Sequence, residues 1–234
     1  MSSSLIAMLG RVPYFAGLDP AAVAQLATEA RERRCAAGEL VLAEGEPCQG
    51  LCFVVSGRVK VFKLSEDGRE QVLRVLGPGY TFNDVPVFDG GPNPAGVAAL
   101  EESIVGLIPA QRVHALVREH PDVAAAVIRV LAGRLRAMTE MVEDLALRGV
   151  SARVARLLLE CSRGAPPLAE GGGDHCAHLT QQQLAAMTGT VREVVQRVLK
   201  ALEREGALEL ARGRIRVLAP EILAAWSEAG RGEG

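Results

Sequence analysis

The spacing of apolar and polar positions changes along the 234-residue chain, and each change predicts a different kind of element. In residues 5–34 the spacing is helical, with Asp19 as a candidate N-cap and Pro20 at the first helical position. In residues 38–109, short β-branched runs are separated by glycines, and no helical pattern lies between them. This texture predicts a small antiparallel barrel or jelly roll.

A long helix is predicted after the barrel. A short helical pattern is found in "AQRVHALVREHP", and Pro121 opens a longer one that runs to about Leu147. Its apolar residues are spaced 3, 4, 3, 4 and 3 apart, the heptad spacing of a coiled coil. This row could pack on the chain's own barrel, but the strict alternation favours a homodimer through two such helices. The predicted interface consists of Ile128, Leu131, Leu135, Met138, Val142 and Leu145.

The strongest pattern lies near the end of the chain, in "LTQQQLAAMTGTVREVVQRVLKALEREGAL". Two helical stretches are joined by a tight turn at Gly189, which is the spacing of a helix-turn-helix. Leu184 and Ala185 would pack in the first helix, and Val195 and Val198 in the second. Small Ala185 lets the helices approach closely.

The second helix of this pair has two unlike faces. A charged face on an ordinary surface helix is usually just solvated. Here the residues 180–216 carry seven basic and four acidic side chains in a chain of net charge −2, so the local excess needs its own explanation. At 100° per residue, the apolar face collects Val191, Val194, Val195, Val198, Leu199 and Leu202, and the polar face collects Arg192, Glu193, Gln196, Arg197 and Lys200.

A polar face of this composition fits the major groove of DNA. An arginine forks onto guanine O6 and N7, and a glutamate accepts from cytosine N4, so Arg192 and Glu193 would read neighbouring base pairs. Polar residues at the start of the first helix are candidate phosphate contacts, and "LELARGRIRVL" predicts a two-stranded wing turned at Gly213. The predicted DNA-binding residues are Thr180, Gln182, Arg192, Glu193, Gln196, Arg197, Lys200, Arg212 and Arg214.

Over nearly its full length, the chain resembles the CRP/FNR superfamily of bacterial transcription regulators. The likeness runs through the glycine-rich barrel, the long helix, the break at Gly149 and the winged helix-turn-helix. The stretch "VREVVQRVLKALEREGAL" is similar to the family's recognition-helix pattern, which Arg192, Glu193 and Arg197 match.

The resemblance implies an α+β protein with an antiparallel jelly-roll barrel like that of cyclic-nucleotide-binding domains. On this basis residues 1–120 form the sensory barrel, 121–148 the dimerisation helix and 149–234 a winged helix-turn-helix domain. A homodimer would bind a palindromic, TGTGA-like site in double-stranded DNA, with RNA polymerase as a further partner. Val191 stands where the family has a hydroxyl residue and Gln196 where it has Ser or Gly, so the preference at the inner base pairs stays open.

The resemblance also bears on "TFNDVPVFDGGPNPAG", residues 81–96, which aligns with the phosphate-binding cassette of the cyclic-nucleotide branch. There a Gly admits the ligand, a Glu takes the ribose hydroxyl and an Arg neutralises the phosphate. This chain has Asn83, Asp84 and Asn93 instead, so a buried phosphate would lack its cation. We therefore expect a small effector other than cyclic AMP, or none. The predicted effector pocket comprises Phe82, Asn83, Asp84, Asn93, Ala95, Met138 and Thr139.

Two other kinds of regulator stay open at this point. A nitric-oxide-responsive haem branch of the family carries Pro-Asn in this cassette, as Pro92 and Asn93 do here, so a haem-based gas sensor is one alternative. Its axial ligand would be Met138, His114 or a cysteine. A cyclic-nucleotide-responsive regulator is the other. The cysteine group of the oxygen-sensing branch is absent from residues 1–34.

Cysteine and histidine usage limits the remaining functions. Five cysteines at scattered spacings indicate reduced thiols, and no signal peptide or membrane span is apparent, which predicts a cytoplasmic protein. A metal enzyme on the same jelly roll would need inward histidines, and none occurs in residues 1–113, so we expect no enzyme.

Two small groups could carry further chemistry, although a plain loop and apolar fillers are the simpler interpretations. A metal could be held by His175, Cys176 and His178 with Cys161, and a redox pair could be formed by Cys48 and Cys52.

Overall fold

A computed structural model describes residues 3–163, 169–170, 179–211 and 214–229. The chain divides into two compact units, Met1–Lys63 with Arg74–Leu135 and Leu64–Leu73 with Arg136–Gly234. Among the described residues, no helix is both long enough and apolar enough to cross a membrane.

The first part of the chain is a set of short strands flanked by helices, as the glycine-separated pattern predicts. Its elements are α1 (Ser3–Leu9), α2 (Pro20–Glu29), β1 (Arg31–Cys35), β2 (Leu40–Leu42), β3 (Gly50–Ser56), β4 (Val59–Leu64), β5 (Glu70–Leu76), β6 (Thr81–Phe82), α3 (Asp84–Asp89), β7 (Gly96–Ala99), β8 (Ser103–Pro109) and α4 (Ala110–Glu119).

These strands form two sheets, one in the order β1-β8-β3-β6 and one that contains β2-β7-β4-β5. Strands far apart in the chain are neighbours, which is how a jelly roll closes without long edges. The pair of β3 and β8 is antiparallel, from Gly50 opposite Pro109 to Ser56 opposite Ile104. The predicted antiparallel jelly roll is therefore confirmed.

The structure corrects two sequence-based expectations in this unit. The helical spacing predicted up to residue 34 ends with α2, and β1 begins at Arg31 because its backbone pairs with β8, Arg31 opposite Leu107. A helix also occurs inside the segment predicted to hold none, since α3 begins at Asp84 within the cassette. Asp19 does cap α2, and its Oδ1 accepts the Ala22 N–H at 2.8 Å.

A single long helix follows, and the winged helix-turn-helix comes after it, as predicted. The elements are α5 (Pro121–Leu147), α6 (Val150–Ser162), β9 (Ala169–Glu170), α7 (Gln181–Thr188), α8 (Arg192–Arg204), β10 (Leu208–Ala211), β11 (Arg214–Val217) and α9 (Pro220–Ala229). The strands β10 and β11 pair antiparallel as the wing, and the turn predicted at Gly213 lies outside the described residues.

Each of the two units has its own apolar core. In the first, Tyr14, Phe15 and Phe53 are buried in a cluster formed by α1, α2, α4 and the strands β3 and β8. In the second, Leu158, Leu199 and other aliphatic residues of α6, α7, α8 and α9 form the core. Each core consists mainly of aliphatic side chains, because the chain has few aromatic residues.

The predicted apolar row on α5 is only partly exposed. Leu131 packs against the core of the first unit, and Met138 is half-buried. Ile128, Leu135 and Val142, spaced seven residues apart, are 69%, 70% and 65% exposed. Some residues of the heptad row therefore pack on the chain itself, and the others form a row of solvent-exposed apolar side chains.

Candidate DNA interface and effector pocket

The helix-turn-helix begins with a capping box on α7. The Thr180 hydroxyl accepts the Gln183 N–H at 3.2 Å, and Gln183 Oε1 accepts the Thr180 N–H at 2.8 Å. This reciprocal pair satisfies backbone donors that a helix otherwise leaves without partners. The hydroxyl predicted to touch phosphate thus already fixes where α7 starts.

The turn between α7 and α8 depends on Gly189. Its φ is +65°, in the left-handed region that a glycine adopts without strain, and it ends α7 as the C-cap. Leu184, Ala185, Val195 and Val198 are buried, so the packing predicted for the two helices is confirmed.

The polar face of α8 is fully open. All five residues predicted there are exposed, and Glu193 lies in the first turn, where the helix dipole favours an acidic side chain. Arg192, the first residue of α8, would carry its guanidinium to the same end of the helix. These exposed residues are Arg192, Glu193, Gln196, Arg197 and Lys200.

A groove of about 530 Å³ lies between the start of α7, the start of α8 and the wing. Its lining includes Thr180, Gln182, Arg192 and Arg214, four of the residues predicted to bind DNA. Sequence spacing could not show this convergence, because Thr180 and Arg214 are 34 positions apart. Arg212, also predicted to bind DNA, lies outside the described residues.

Val191 is placed differently from the helical-wheel prediction. The 100° spacing assigns it to the apolar face, but its side chain is 41% exposed. Val191 is the N-cap, with an extended backbone at φ −108° and ψ 155°, so the 100° step of a helix does not apply to it. Val194 is half-buried rather than fully buried.

A cluster of charged side chains around the start of α6 was not predicted from the sequence. Arg153 donates to the Thr188 carbonyl at 2.8 Å and to the Arg148 carbonyl at 2.7 Å, so it satisfies the last carbonyl of α7 and the carbonyl that directly follows α5. Asp144 forms an ion pair with Arg148 at 2.7 Å and accepts a hydrogen bond from Arg156 at 2.6 Å. Burial lowers the pKa of Arg153, and the charge of Asp144 opposes that shift. The link between α5 and α6 is therefore held by ionic contacts across Gly149.

The cassette at residues 81–96 begins with an unusual backbone conformation. Asn83 has a φ of 62° and is the N-cap of α3; within the described part of the chain it is the non-glycine residue with positive φ. Asparagine tolerates this region better than most residues, so Asn83 can replace the family's glycine without losing the turn. Its Nδ2 donates to the Gly50 carbonyl at 3.3 Å and to the Cys48 sulfur at 3.5 Å.

Asp84 is buried in a network that the sequence did not reveal. The Tyr14 hydroxyl donates to its Oδ1 at 2.7 Å, and Arg134 of α5 forms an ion pair with its Oδ2. Arg134 also donates to the Thr81 carbonyl at 2.8 Å and to its hydroxyl at 2.9 Å. Burial, followed by the charge of Asp84, raises the pKa of Tyr14, which keeps the phenol protonated as the donor. Asp84 thus has two donors from its own chain.

Asn93, which occupies the position of the family's arginine, is also committed to internal contacts. It is 3% exposed, and its Nδ2 donates to the Ala43 carbonyl at 3.0 Å. Its Oδ1 is buried and accepts no hydrogen bond from the described residues. The side chain therefore offers an acceptor where a phosphate would need a donor.

The other predicted pocket residues fall into two environments. Phe82 and Ala95 are buried in the first unit, at 1% and 7% exposure. Met138 is half-buried and Thr139 exposed, and both belong to the second unit. Their part in an effector pocket stays a prediction.

His114, named as a possible haem ligand, and Cys48 line one pocket of about 420 Å³ beside α3 and α4. The Nε2 of His114 lies 2.5 Å from the Val87 carbonyl, so this nitrogen is the donor and Nδ1 is left as an acceptor. Burial raises the pKa of the Cys48 and Cys52 thiols. Both thiols are therefore neutral at neutral pH, which does not favour a redox pair.

The cysteines differ in their oxidation state. Cys35, Cys48 and Cys52 are free thiols, but Cys161 is disulfide-bonded, so the prediction of reduced thiols is wrong for Cys161. Only the folded chain shows which sulfur atoms meet, and a disulfide sulfur has no thiolate to bind a metal. The other proposed ligands of that metal group, His175, Cys176 and His178, lie outside the described residues.

Comparisons with known proteins agree with this arrangement. Residues 32–120 match the family described as "Cyclic nucleotide-binding domain", and residues 152–226 match "Crp-like helix-turn-helix domain". The chain is 31% identical over 204 residues to a CRP-like cAMP-activated global transcriptional regulator of Mycobacterium tuberculosis, which covers 87% of this chain and 91% of that protein. It is 32% identical over 212 residues to the cyclic AMP receptor protein of Thermus thermophilus, with coverages of 90% and 94%.

A solved structure shares the fold. The c-di-GMP responsive global regulator CLP of Xanthomonas campestris superposes with a TM-score of 0.74 at 24% identity, over 85% of this chain and 99% of that one. At this identity the likeness concerns the architecture alone.

Proposed function

Because this chain belongs to the CRP/FNR superfamily of DNA-binding transcription regulators, we propose that it acts as a homodimer that reads a palindromic, TGTGA-like site. Its relatives are transcription regulators, and the chain is a regulator and not an enzyme. The observation that carries the proposal is the exposed polar face of α8, which borders the groove shared with α7 and the wing. This regulator would work in the cytoplasm, where its DNA and RNA polymerase are found.

The proposed base recognition follows from donor and acceptor chemistry. Arg192 forks onto O6 and N7 of a guanine, and Glu193 accepts from N4 of a neighbouring cytosine. Arg197, one turn further along the same exposed face, contacts a second guanine or a phosphate. Thr180, Gln182 and Arg214, around the groove, contact the DNA backbone and fix the angle of α8.

The proposed dimer joins two copies of α5 along its exposed apolar row. Ile128, Leu135 and Val142 recur every seven residues, which is the spacing that stays in register when two helices cross at a shallow angle. An apolar row of this length, open to water, is costly for a monomer and is covered by the same row of a second copy. A palindromic site with half-sites one helical turn of DNA apart would receive one α8 helix from each protomer.

The proposed effector is not cyclic AMP. The polar side chains of the cassette already have hydrogen-bond and ionic partners within the chain. A bound cyclic phosphate would need a cation, yet Arg134 is paired with Asp84, and Asn93 gives its amide donor to Ala43. Tyr14 gives Asp84 a second donor from the same chain. These contacts tie α5 to the barrel without a ligand, so we infer that DNA binding is controlled by a different small effector or needs none.

Responses to cyclic nucleotides are the first alternative, because the M. tuberculosis and T. thermophilus relatives carry cyclic AMP in their names and CLP carries c-di-GMP. Thermal unfolding of the purified protein with cyclic AMP or c-di-GMP separates the cases. A ligand that binds only the folded state would stabilise it by about 2.7 kcal/mol when the free ligand concentration is one hundred times its Kd. We expect cyclic AMP to leave the melting temperature unchanged. A saturable rise in melting temperature with cyclic AMP would refute the proposal that the effector is a different molecule.

A haem-based gas sensor is the second candidate, favoured by one observation. Cys48 and His114 line the same pocket, and the hydrogen bond of Nε2 of His114 to Val87 leaves Nδ1 as the ring nitrogen that could bind a metal. Bound haem would supply a gas-binding iron, and the two side chains would hold it. A Soret band in protein purified from cells would support this candidate. A featureless visible spectrum would favour a colourless effector or none.

The DNA-binding proposal is tested by selection from a randomised pool of duplex oligonucleotides. The full chain is used at low ionic strength, with and without cell extract to supply a missing effector. We expect enrichment of an inverted repeat with TGTGA-like half-sites. Failure to enrich any sequence in either arm would contradict the proposal.

A further inference from the structure

Val191 is an apolar side chain exposed at the tip of α8. It occupies the N-cap, makes no side-chain capping hydrogen bond, and is followed directly by the exposed residues Arg192 and Glu193. A serine, threonine or aspartate at this position would accept a backbone N–H of the first turn and stabilise the helix. Valine provides no such contact, so its exposure has no explanation within α8 itself.

The edge of the major groove offers one apolar group that fits such a side chain. Each base pair shows donors and acceptors there, and thymine adds a C5-methyl. A helix-turn-helix brings the N-terminal residues of its second helix against these edges. The side chain at position 191 therefore approaches the bases next to those of Arg192, and an exposed isopropyl group gains nothing from an amide or carbonyl edge.

We propose that Val191 is a specificity-determining residue whose γ-methyl groups contact the C5-methyl of a thymine beside the base pair read by Arg192. The inference rests on the proposed DNA-binding function and adds the base chemistry at one position. The apolar residues within α8 are less exposed than Val191. Val195 and Val198 are buried in the core, and Val194 is half-buried.

The expected size of the effect follows from the area of one methyl group. Covering one methyl or methylene group improves binding about fourfold, so two half-sites of a dimer give about a 16-fold difference. Hydrogen-bond donors and acceptors are untouched by loss of this methyl group. The effect is therefore confined to one position in each half-site.

The test replaces thymines of the selected duplex with deoxyuridine, one symmetric pair at a time. This change removes only the C5-methyl and keeps base pairing and the O4 acceptor. The wild-type chain is expected to lose about 16-fold at one pair and nothing measurable at the others. Val191→Ala should bind thymine and deoxyuridine duplexes alike, whereas Val191→Thr keeps one γ-methyl and should retain part of the difference. Leu218→Ala, which shortens another exposed apolar side chain, should discriminate as the wild type does.

The possible outcomes distinguish the two proposals. Equal wild-type binding to thymine and deoxyuridine duplexes at every position would overturn the role of Val191 and leave DNA recognition intact. Full discrimination by Val191→Ala would overturn it as well. A chain that binds no selected duplex would instead contradict the proposed function itself.

Discussion

The phenol of Tyr14 donates a 2.7 Å hydrogen bond to Oδ1 of Asp84, a residue 70 positions further along the chain. Both side chains are buried, at 1% and 4% exposure. Asp84 is the residue that the family resemblance assigns to an effector's ribose. In this chain, Tyr14 donates to one oxygen of its carboxylate and Arg134 pairs with the other. The relationship joins the segment between α1 and α2 to the cassette and, through Arg134, to the long helix.

Removing the Tyr14 hydroxyl should destabilise the protein. Tyr14→Phe leaves Asp84 with one donor fewer in a buried site, which costs about 1–3 kcal/mol of unfolding free energy. Urea denaturation measures the change. Tyr80→Phe is the matched control, because Tyr80 is the other tyrosine of the chain and is only partly buried. We expect that control to stay within about 0.5 kcal/mol of wild type. Equal losses for both variants would contradict the importance of the Tyr14 contact.

The same hydroxyl should give the stability a dependence on alkaline pH. The pKa of Tyr14 is raised in the folded state from its ordinary value of 10.0, chiefly by burial. The unfolded chain therefore loses this proton first, and the stabilisation present below pH 10 is lost as the pH rises above it. Between pH 10 and about 11.5, the wild-type unfolding free energy should fall more steeply than that of Tyr14→Phe, by up to about 1.4 kcal/mol per pH unit. Parallel profiles would show that Tyr14 titrates normally.

A charge in the apolar row of α5 should separate the proposed dimer. Leu135→Asp places a carboxylate in the row, where the partner helix would bury it without a counter-charge. Sedimentation velocity should show a monomer. Leu147→Asp is the control, since Leu147 is 67% exposed, close to the 70% of Leu135, but lies outside the heptad row. An unchanged sedimentation coefficient for Leu135→Asp would refute the proposed interface.

Arg192 should contribute sequence preference as well as affinity. Arg192→Ala should weaken binding to the selected site by about 1–3 kcal/mol and relax the choice of base at one pair of each half-site. Arg204→Ala removes a guanidinium from the last turn of the same helix, away from the groove. This control should lose little DNA affinity, and by the same amount on matched and mismatched duplexes. Fluorescence anisotropy with matched and mismatched duplexes measures both. A uniform loss for Arg192→Ala would show that Arg192 touches phosphate only.

Arg153 should stabilise the second unit through its planar guanidinium. Arg153→Lys keeps the charge but cannot donate to the Thr188 and Arg148 carbonyls together, and the loss should be about 1–3 kcal/mol. Arg163→Lys, at an exposed position after α6, provides the control. Thermal unfolding compares them, and a wild-type melting temperature for Arg153→Lys would contradict the role of these contacts.

Much of the fold could be predicted from local sequence. The separation of β-branched runs by glycines predicted the jelly roll, the heptad spacing predicted α5 from Pro121 to about Leu147, and Gly189 predicted the turn of the helix-turn-helix. These patterns are periodic and short-ranged. Each reports which face of an element avoids water, so a single stretch of chain carries the signal.

The sequence by itself determined the kinds of elements, the family resemblance and the polar face of α8. Tertiary structure decided that Tyr14 and Arg134 meet on Asp84, that the groove unites α7, α8 and the wing, and that β1 begins where a helical spacing suggested more helix. It also decided that Val191 is exposed. The physical reason is that hydrogen bonds and burial depend on which distant segments pack together, whereas periodicity depends only on neighbours along the chain.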